Sequence, residues 1–177
     1  DVIRDGRESP YISSLFRDSQ GRIWAGFPSG GLALLNDKTG KLTTVIRDEN
    51  LNISSIAEDK QGRIYFSEPS NGFSRFDPDD MKIELYTSFA KDSRLGRSLT
   101  NDGINLMMID SWNRLWIGHD NGADCFDIDQ GTFIDNNRLS VAIGTAGCTS
   151  ILEQSEGVIW LGTTKGIVVY NTVNSET

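Results

Sequence analysis

Residues 12–26 read ISSLFRDSQGRIWAG, and residues 53–67 read ISSIAEDKQGRIYFS. Laid over each other without a gap, the two segments share an apolar start, an Asp, a Gly three residues later and an apolar-aromatic run. The pattern returns at 104–118, INLMMIDSWNRLWIG, and at 148–162, CTSILEQSEGVIWLG. The turn positions Gly21, Gly62, Asn113 and Gly157 are separated by 41, 51 and 44 residues. Each copy is followed by a second glycine and an apolar run closing on Asn36, Asp77, Asp127 or Asn171.

A repeat in the forties is the period of a β-propeller blade. The spacing predicts strands A (12–17), B (22–26), C (31–36) and D (42–46) in the first unit, with later D strands at 83–87 and 132–135. Asp18 to Gly21 is a tight A–B turn, in which the Asp carboxylate bonds amides ahead of it and Gly takes the left-handed conformation. Asn113 is the residue other than glycine that tolerates that conformation. Gln154 breaks the Asp column, so the fourth turn is less well specified. Runs such as VIWL at 158–161 are apolar without alternation, as in sheets covered on both faces. The spaces between strands are too short for the helical crossovers of a parallel α/β sheet. The expectation is therefore an all-β chain: a β-propeller fragment of four four-stranded antiparallel blades, at 11–46, 52–87, 103–135 and 147–171.

Composition narrows the partners. A net charge of −8 speaks against nucleic acid as a partner, which requires a basic face, and disfavours anionic lipid. No stretch approaches the ~18 apolar residues of a membrane span. The two cysteines match no zinc spacing and are too few for a disulfide framework. Cys148 shares the column of Ile12, Ile53 and Ile104 and is expected to be buried. Cys125 shares the column of Leu34, Arg75 and Val169 and is expected to be partly exposed. Trp24, Trp116 and Trp160 share one column, read as core, with Tyr65 in the same place needing a partner for its hydroxyl.

At LWIG, residues 115–118, and IWLGT, residues 159–163, the chain resembles the two-component regulator propeller repeat. SLTND, residues 98–102, resembles that family's loop entering a new blade. The second blade departs most, with Tyr65 for Trp and Ser67 for Gly. The resemblance implies an extracytoplasmic, periplasmic sensor region of a hybrid two-component histidine kinase, often one responding to glycans, with further blades and domains in the parent. An oligosaccharide ligand and the remaining blades are then the partners, with no cofactor.

The family pattern has Thr after strand B. Here that position holds Phe27, Glu68, His119 and Thr163. B–C and D–A loops of a propeller crowd onto one face, so Phe27, Glu68 and His119, with Arg94 and Arg97 in the long D–A loop, are the candidate ligand contacts. Trp112, at an A–B turn tip, is the candidate interaction residue, with packing on the adjacent turn as the simpler role. No catalytic motif, metal cluster or phosphate loop is present. Two other functions stay open: a small lyase resembling streptogramin lyase, for which His119 and Glu68 are the relevant types, and a purely structural scaffold. Near its start the chain reads Val2-Ile3-Arg4-Asp5, which repeats the VIRD of 45–48. Residues 1–5 are therefore expected to be the remnant of a strand D. An arc with uncovered end blades is expected to associate with itself.

Overall fold

The computed structural model describes residues 11–68, 71–87, 99–134 and 137–172. Four antiparallel sheets follow one another along the chain. Blade 1 holds β1 (Ser14–Arg17), β2 (Ile23–Gly26), β3 (Leu32–Leu35) and β4 (Leu42–Ile46). Blade 2 holds β5 (Ile56–Glu58), β6 (Ile64–Glu68), β7 (Gly72–Asp77) and β8 (Lys82–Tyr86). Blade 3 holds β9 (Ile104–Ile109), β10 (Arg114–His119), β11 (Gly122–Asp127) and β12 (Thr132–Phe133). Helix α1 (Asn137–Ile143) then leads to blade 4, with β13 (Cys148–Ser155), β14 (Val158–Thr163) and β15 (Gly166–Asn171). In each blade the strands pair in chain order, so each sheet is a meander.

The fourth blade has three strands among the described residues where the others have four, its repeat stopping after strand C at Asn171. The chain also carries a short helix in the connection from blade 3 to blade 4, where its Leu139 and Ile143 sink into the apolar seam between those blades. Strand β12 is shorter than expected, and Ile134 continues the pairing by a single amide bond to the Cys125 carbonyl. The expected strand remnant at residues 1–5 lies outside the described residues.

Every A–B turn in the first three blades is built on one buried carboxylate. The side chains of Asp18, Asp59 and Asp110 are fully buried. One oxygen of each accepts the amide of the residue four ahead: Arg22 at 2.7 Å, Arg63 at 2.9 Å and Arg114 at 2.9 Å. The other oxygen meets the guanidinium of that same arginine. In blades 1 and 3 it also accepts the indole N–H of Trp24 and Trp116, each at 2.8 Å. Gly21, Gly62 and Asn113 then close the turns at φ of 81°, 80° and 61°. Burying a carboxylate is tolerated because both of its oxygens are bonded by fixed donors, one of them charged.

Each strand-B tryptophan or tyrosine faces forward, toward the following blade. Trp24 packs on Ile64, Phe66 and Phe76 of blade 2. Tyr65 packs among Leu115, Ile117 and Phe126 of blade 3. Trp116 packs on Ile159, Leu161 and Tyr170 of blade 4. Trp160 corrects the expectation of a buried column: it is 39% exposed. Among the described residues no blade lies on its side of β14, and the acid and the arginine of the earlier turns are replaced by Gln154 and Val158. Among the described residues the four blades form an open arc. Cys125 is a second correction. It is 2% exposed, because its column also faces forward and blade 4 covers it.

Polar seams tie each turn to the next blade. Ser19 donates its amide and hydroxyl to Glu58 at 2.7 and 2.9 Å. Ser111 does the same to Glu153 at 2.8 and 2.6 Å. Between blades 2 and 3 the amide of Lys60 donates to Asn113 at 3.1 Å instead. At the other end of strand B the blades nearly touch. A Cβ on Gly26 would stand 2.5 Å from Cγ2 of Ile53, and one on Gly118 would stand 3.0 Å from Sγ of Cys148. Blade 2 carries Ser67 there and turns its hydroxyl to Ser54 and to the Ser55 amide.

Two outcomes follow for stability. Burial alone would raise the Asp18 carboxyl, but the bonds from Trp24 and Arg22 outweigh it and hold the group below the ordinary aspartate range. Asp18→Asn should cost ~2–4 kcal/mol, as expected for breaking a buried charged network. A folded value below the unfolded one gives stability that is full above the unfolded value of about 4. It is lost as pH falls through the depressed folded value. Urea unfolding of both proteins between pH 3 and 7 checks this: the gap should narrow at the acid end. The buried hydroxyl of Tyr65 makes no hydrogen bond of ordinary geometry among the described residues, and the Arg75 guanidinium is the donor set nearest in effect to it. Tyr65→Phe should therefore leave stability unchanged or raise it by about 1 kcal/mol, whereas a loss above that would reveal a partner for the hydroxyl.

Candidate functional site

The B–C and D–A loops do meet on one face, and the hydrogen bonds show how. The Gly30 amide of the first B–C loop donates to the Asp48 carbonyl, and Ser29 donates to the Glu49 carbonyl. The Gly72 amide donates to the Asp102 carbonyl between blades 2 and 3. In blade 4 the Gly147 amide donates to Thr164, and Lys165 donates to Thr145 at 3.3 Å.

The residues after strand B have different fates on that face. Phe27 is 2% exposed and sits in a small cluster with Ala25 and Ala33. Its backbone carbonyl accepts the Ile53 amide. Glu68 is half-buried, and its carboxylate is taken up inside its own B–C loop by Asn71 and Ser74. His119 is buried at the end of β10. Its Nδ1 accepts the Asn121 amide at 3.2 Å, which leaves the ring proton on Nε2. That nitrogen lies 3.1 Å from the Thr100 hydroxyl and 3.5 Å from Asp124. Thr100 gives both its amide and its hydroxyl to Asp124, at 2.9 and 2.8 Å. Since the Thr100 proton goes to Asp124, His119 donates to the Thr100 oxygen. The trio staples the entry of blade 3 to β11 across the loop face. Arg94 and Arg97 lie outside the described residues.

Trp112 stands on the opposite, A–B turn side. Its indole N–H donates to Glu156 of the next turn at 2.7 Å, and the Arg114 guanidinium covers its ring at 4.5 Å. Packing on the adjacent turn is the role this geometry gives it.

Among the described residues, the loop face leaves several polar side chains open. Asp120 and Asn121 are exposed at the β10–β11 turn, and Asn105 donates to Asp120 at 2.8 Å. Thr145 and Lys165 are exposed beside blade 4. These side chains were not singled out from the sequence, because they occupy variable places outside the repeat columns; only their position on the shared face marks them. Among the described residues no group of three or more His, Cys, Asp or Glu is placed to hold a metal ion. Cys125 and Cys148 are both free and buried, and burial raises both thiols, which makes them poor nucleophiles.

The comparisons with known proteins agree with the repeat. The family described as two component regulator propeller matches residues 6–28, which run through β1 and β2 of blade 1. The extracellular domain of BT3049 from B. thetaiotaomicron, described as a hybrid two component system, superposes with a TM-score of 0.72 at 16% identity, over 96% of this chain and 22% of that one. Virginiamycin B lyase from Staphylococcus aureus superposes with a TM-score of 0.60 at 21% identity, over 89% of this chain and 54% of the lyase. The computationally designed Ika4 protein gives a TM-score of 0.67 at 12% identity, with 97% of each chain covered. At these identities the likeness speaks for the fold. The chain spans about a fifth of the B. thetaiotaomicron domain and about half of the lyase. No curated protein matches it in sequence.

The staple makes a specific claim. His119→Ala should cost ~1–3 kcal/mol, the range for stranding buried hydrogen-bonding groups. It should also speed hydrogen exchange at the Thr100 amide, measured by NMR. Unchanged stability and exchange would show that His119 holds nothing together and is free for another role.

Proposed function

We infer that the chain carries the two-component regulator propeller repeat throughout, from the family match in blade 1 and the same columns in the later blades. We propose that it is a non-catalytic, extracytoplasmic sensor segment of a hybrid two-component regulator, anchored at the inner membrane, which helps bind a glycan or pass that signal to a histidine kinase. The repeat match is the observation that carries this proposal. The fold shared with an extracellular domain of a hybrid two-component system supports it.

The loop face suits a sugar in its chemistry. Hydroxyl-rich ligands need alternating donors and acceptors, and Asn105, Asp120, Asn121, Thr145 and Lys165 offer both. The lyase alternative draws on the structural likeness to virginiamycin B lyase. Here, however, both side chains of the relevant types are committed: His119 to Asn121 and Thr100, and Glu68 to Asn71 and Ser74.

An array of neutral and acidic oligosaccharides probed with the purified chain tests the proposal. The expected result is a defined glycan class whose binding falls about tenfold or more, that is ~1.4 kcal/mol or more, in Asn121→Ala and Lys165→Ala. Turnover of virginiamycin B without glycan binding would instead establish the lyase reading.

A further inference from the structure

The outer strand of blade 2 carries apolar side chains that stay in water. Met81, Ile83 and Leu85 are 59%, 47% and 50% exposed. They alternate along the chain, so they stand on one side of β8. It is the side of Ile64 and Phe76, which face blade 1. Blades 1 and 3 flank blade 2, so this exposure does not come from the ends of the arc. Among the described residues no apolar cluster takes in any of the three side chains.

The same places in the neighbouring blades are filled differently. The place of Ile83 holds Leu42 in blade 1 and Phe133 in blade 3, and both pack on apolar clusters. The place of Leu85 holds Thr44 in blade 1. The place of Met81 holds Gly40 and Gly131, at φ of 67° and 68°. Met81 keeps that left-handed conformation, at φ 59°, which is strained for a side chain of its size.

The backbone beside these side chains is open as well. Among the described residues β8 pairs with β7 alone. In blade 3 the Ile134 amide bonds the Cys125 carbonyl, and Glu84 and Arg75 hold those places in blade 2. Antiparallel ladders alternate, so Glu84 turns its amide and carbonyl toward β7, while Ile83 and Leu85 turn theirs outward. Such an edge is a template for another strand.

The residues of the edge select which strand. It reads Met81, Lys82, Ile83, Glu84, Leu85. Run antiparallel to itself about Ile83, it sets Lys82 opposite Glu84 and Met81 opposite Leu85. Centring on Lys82 or on Glu84 instead would set like charges opposite each other. Within its own chain Glu84 accepts Arg75 and Tyr86 through Oε2, and its Oε1 pairs with Lys82 at 2.7 Å. Oε1 has a second lone pair and the exposed Lys82 ammonium has further protons, so a second copy adds to this network without displacing it.

We propose that β8 is the contact between two copies of this chain, paired antiparallel about a twofold axis through Ile83. The contact is isologous. The two blade 2 sheets join into one, and Met81, Ile83 and Leu85 of both copies form a single apolar row.

Light scattering after size exclusion and amide exchange followed by NMR, over one concentration series of the 177-residue chain, test this. The mass should rise from one chain to two. Exchange at the Ile83 and Leu85 amides should slow about tenfold or more with it, while the Glu84 amide, bonded to β7 in either state, changes less. Ile83→Lys sets two ammonium groups at the axis and should hold the mass at one chain, with the circular dichroism spectrum unchanged. Lys82→Glu, at a more exposed position, should weaken association about tenfold by setting carboxylates opposite each other. Trp160→Glu should leave association intact. A single-chain mass at every concentration would overturn the proposal. So would a two-chain mass in which the Ile83 amide still exchanges freely, or one that Trp160→Glu abolishes and Ile83→Lys does not, since the copies would then meet elsewhere.

Discussion

A single buried carboxylate organises each of the first three blades. Asp18, Asp59 and Asp110 stand where strand A gives way to the turn, and each gathers donors from the turn, from the arginine opening strand B and, twice, from the strand-B indole. This bond set fixes three things at once. It shapes the hairpin, sets the register of A against B, and points the large aromatic toward the next blade. The arginine has a second role, since its guanidinium lies over the Trp24 ring at 5.2 Å and the Trp116 ring at 5.6 Å. Charge, hydrogen bonding and packing meet at one place, so few local alternatives compete with it.

The seams between blades depend on that orientation. Once Trp24 faces forward, the residues opposite it must be apolar, and Ile64, Phe66 and Phe76 are. Close approach at the other end of strand B then requires Gly26 or Gly118, because a neighbouring side chain already fills the space. Blade 2 shows what changes when the pattern is relaxed. Tyr65 replaces the indole and loses the acid as a partner, while the seam is filled by rings instead. Phe73 stacks on Tyr86 at 4.8 Å and meets Phe126 edge-on at 5.8 Å. Blade 4 has lost acid and arginine together, and it is there that the aromatic lies open.

Strand order, turn geometry and the division into blades were legible in the sequence, because each rests on a residue type at a fixed place in a repeat. Asn113 at positive φ is the clearest case. The partner set of the Asp column was only half legible. The bond to the turn amides follows from turn chemistry, but the arginine and the indole reach the carboxylate through folding of the hairpin. Their recurrence at four and six residues after the Asp is the signal that could have revealed it. Trp160 was misjudged because a repeat column gives burial only when a following blade supplies the cover. Cys125 was misjudged because the residue types in its column are tolerant, whereas burial depends on the side of the sheet. At the loop face the sequence marked Phe27, Glu68 and His119 by their departure from the family pattern. The structure turns each inward or ties it down, and leaves the open positions to residues such as Asn121 and Lys165.

The central claim is that the buried Asp, together with a following blade, decides the state of each strand-B tryptophan. Indole N–H exchange followed by NMR, on dilute protein so that single chains dominate, reads this directly. The account predicts that the Trp24 and Trp116 indole protons exchange slowly, being buried and bonded to Asp18 and Asp110, while the Trp160 proton exchanges at the rate of an exposed group. Equal protection of all three would contradict it.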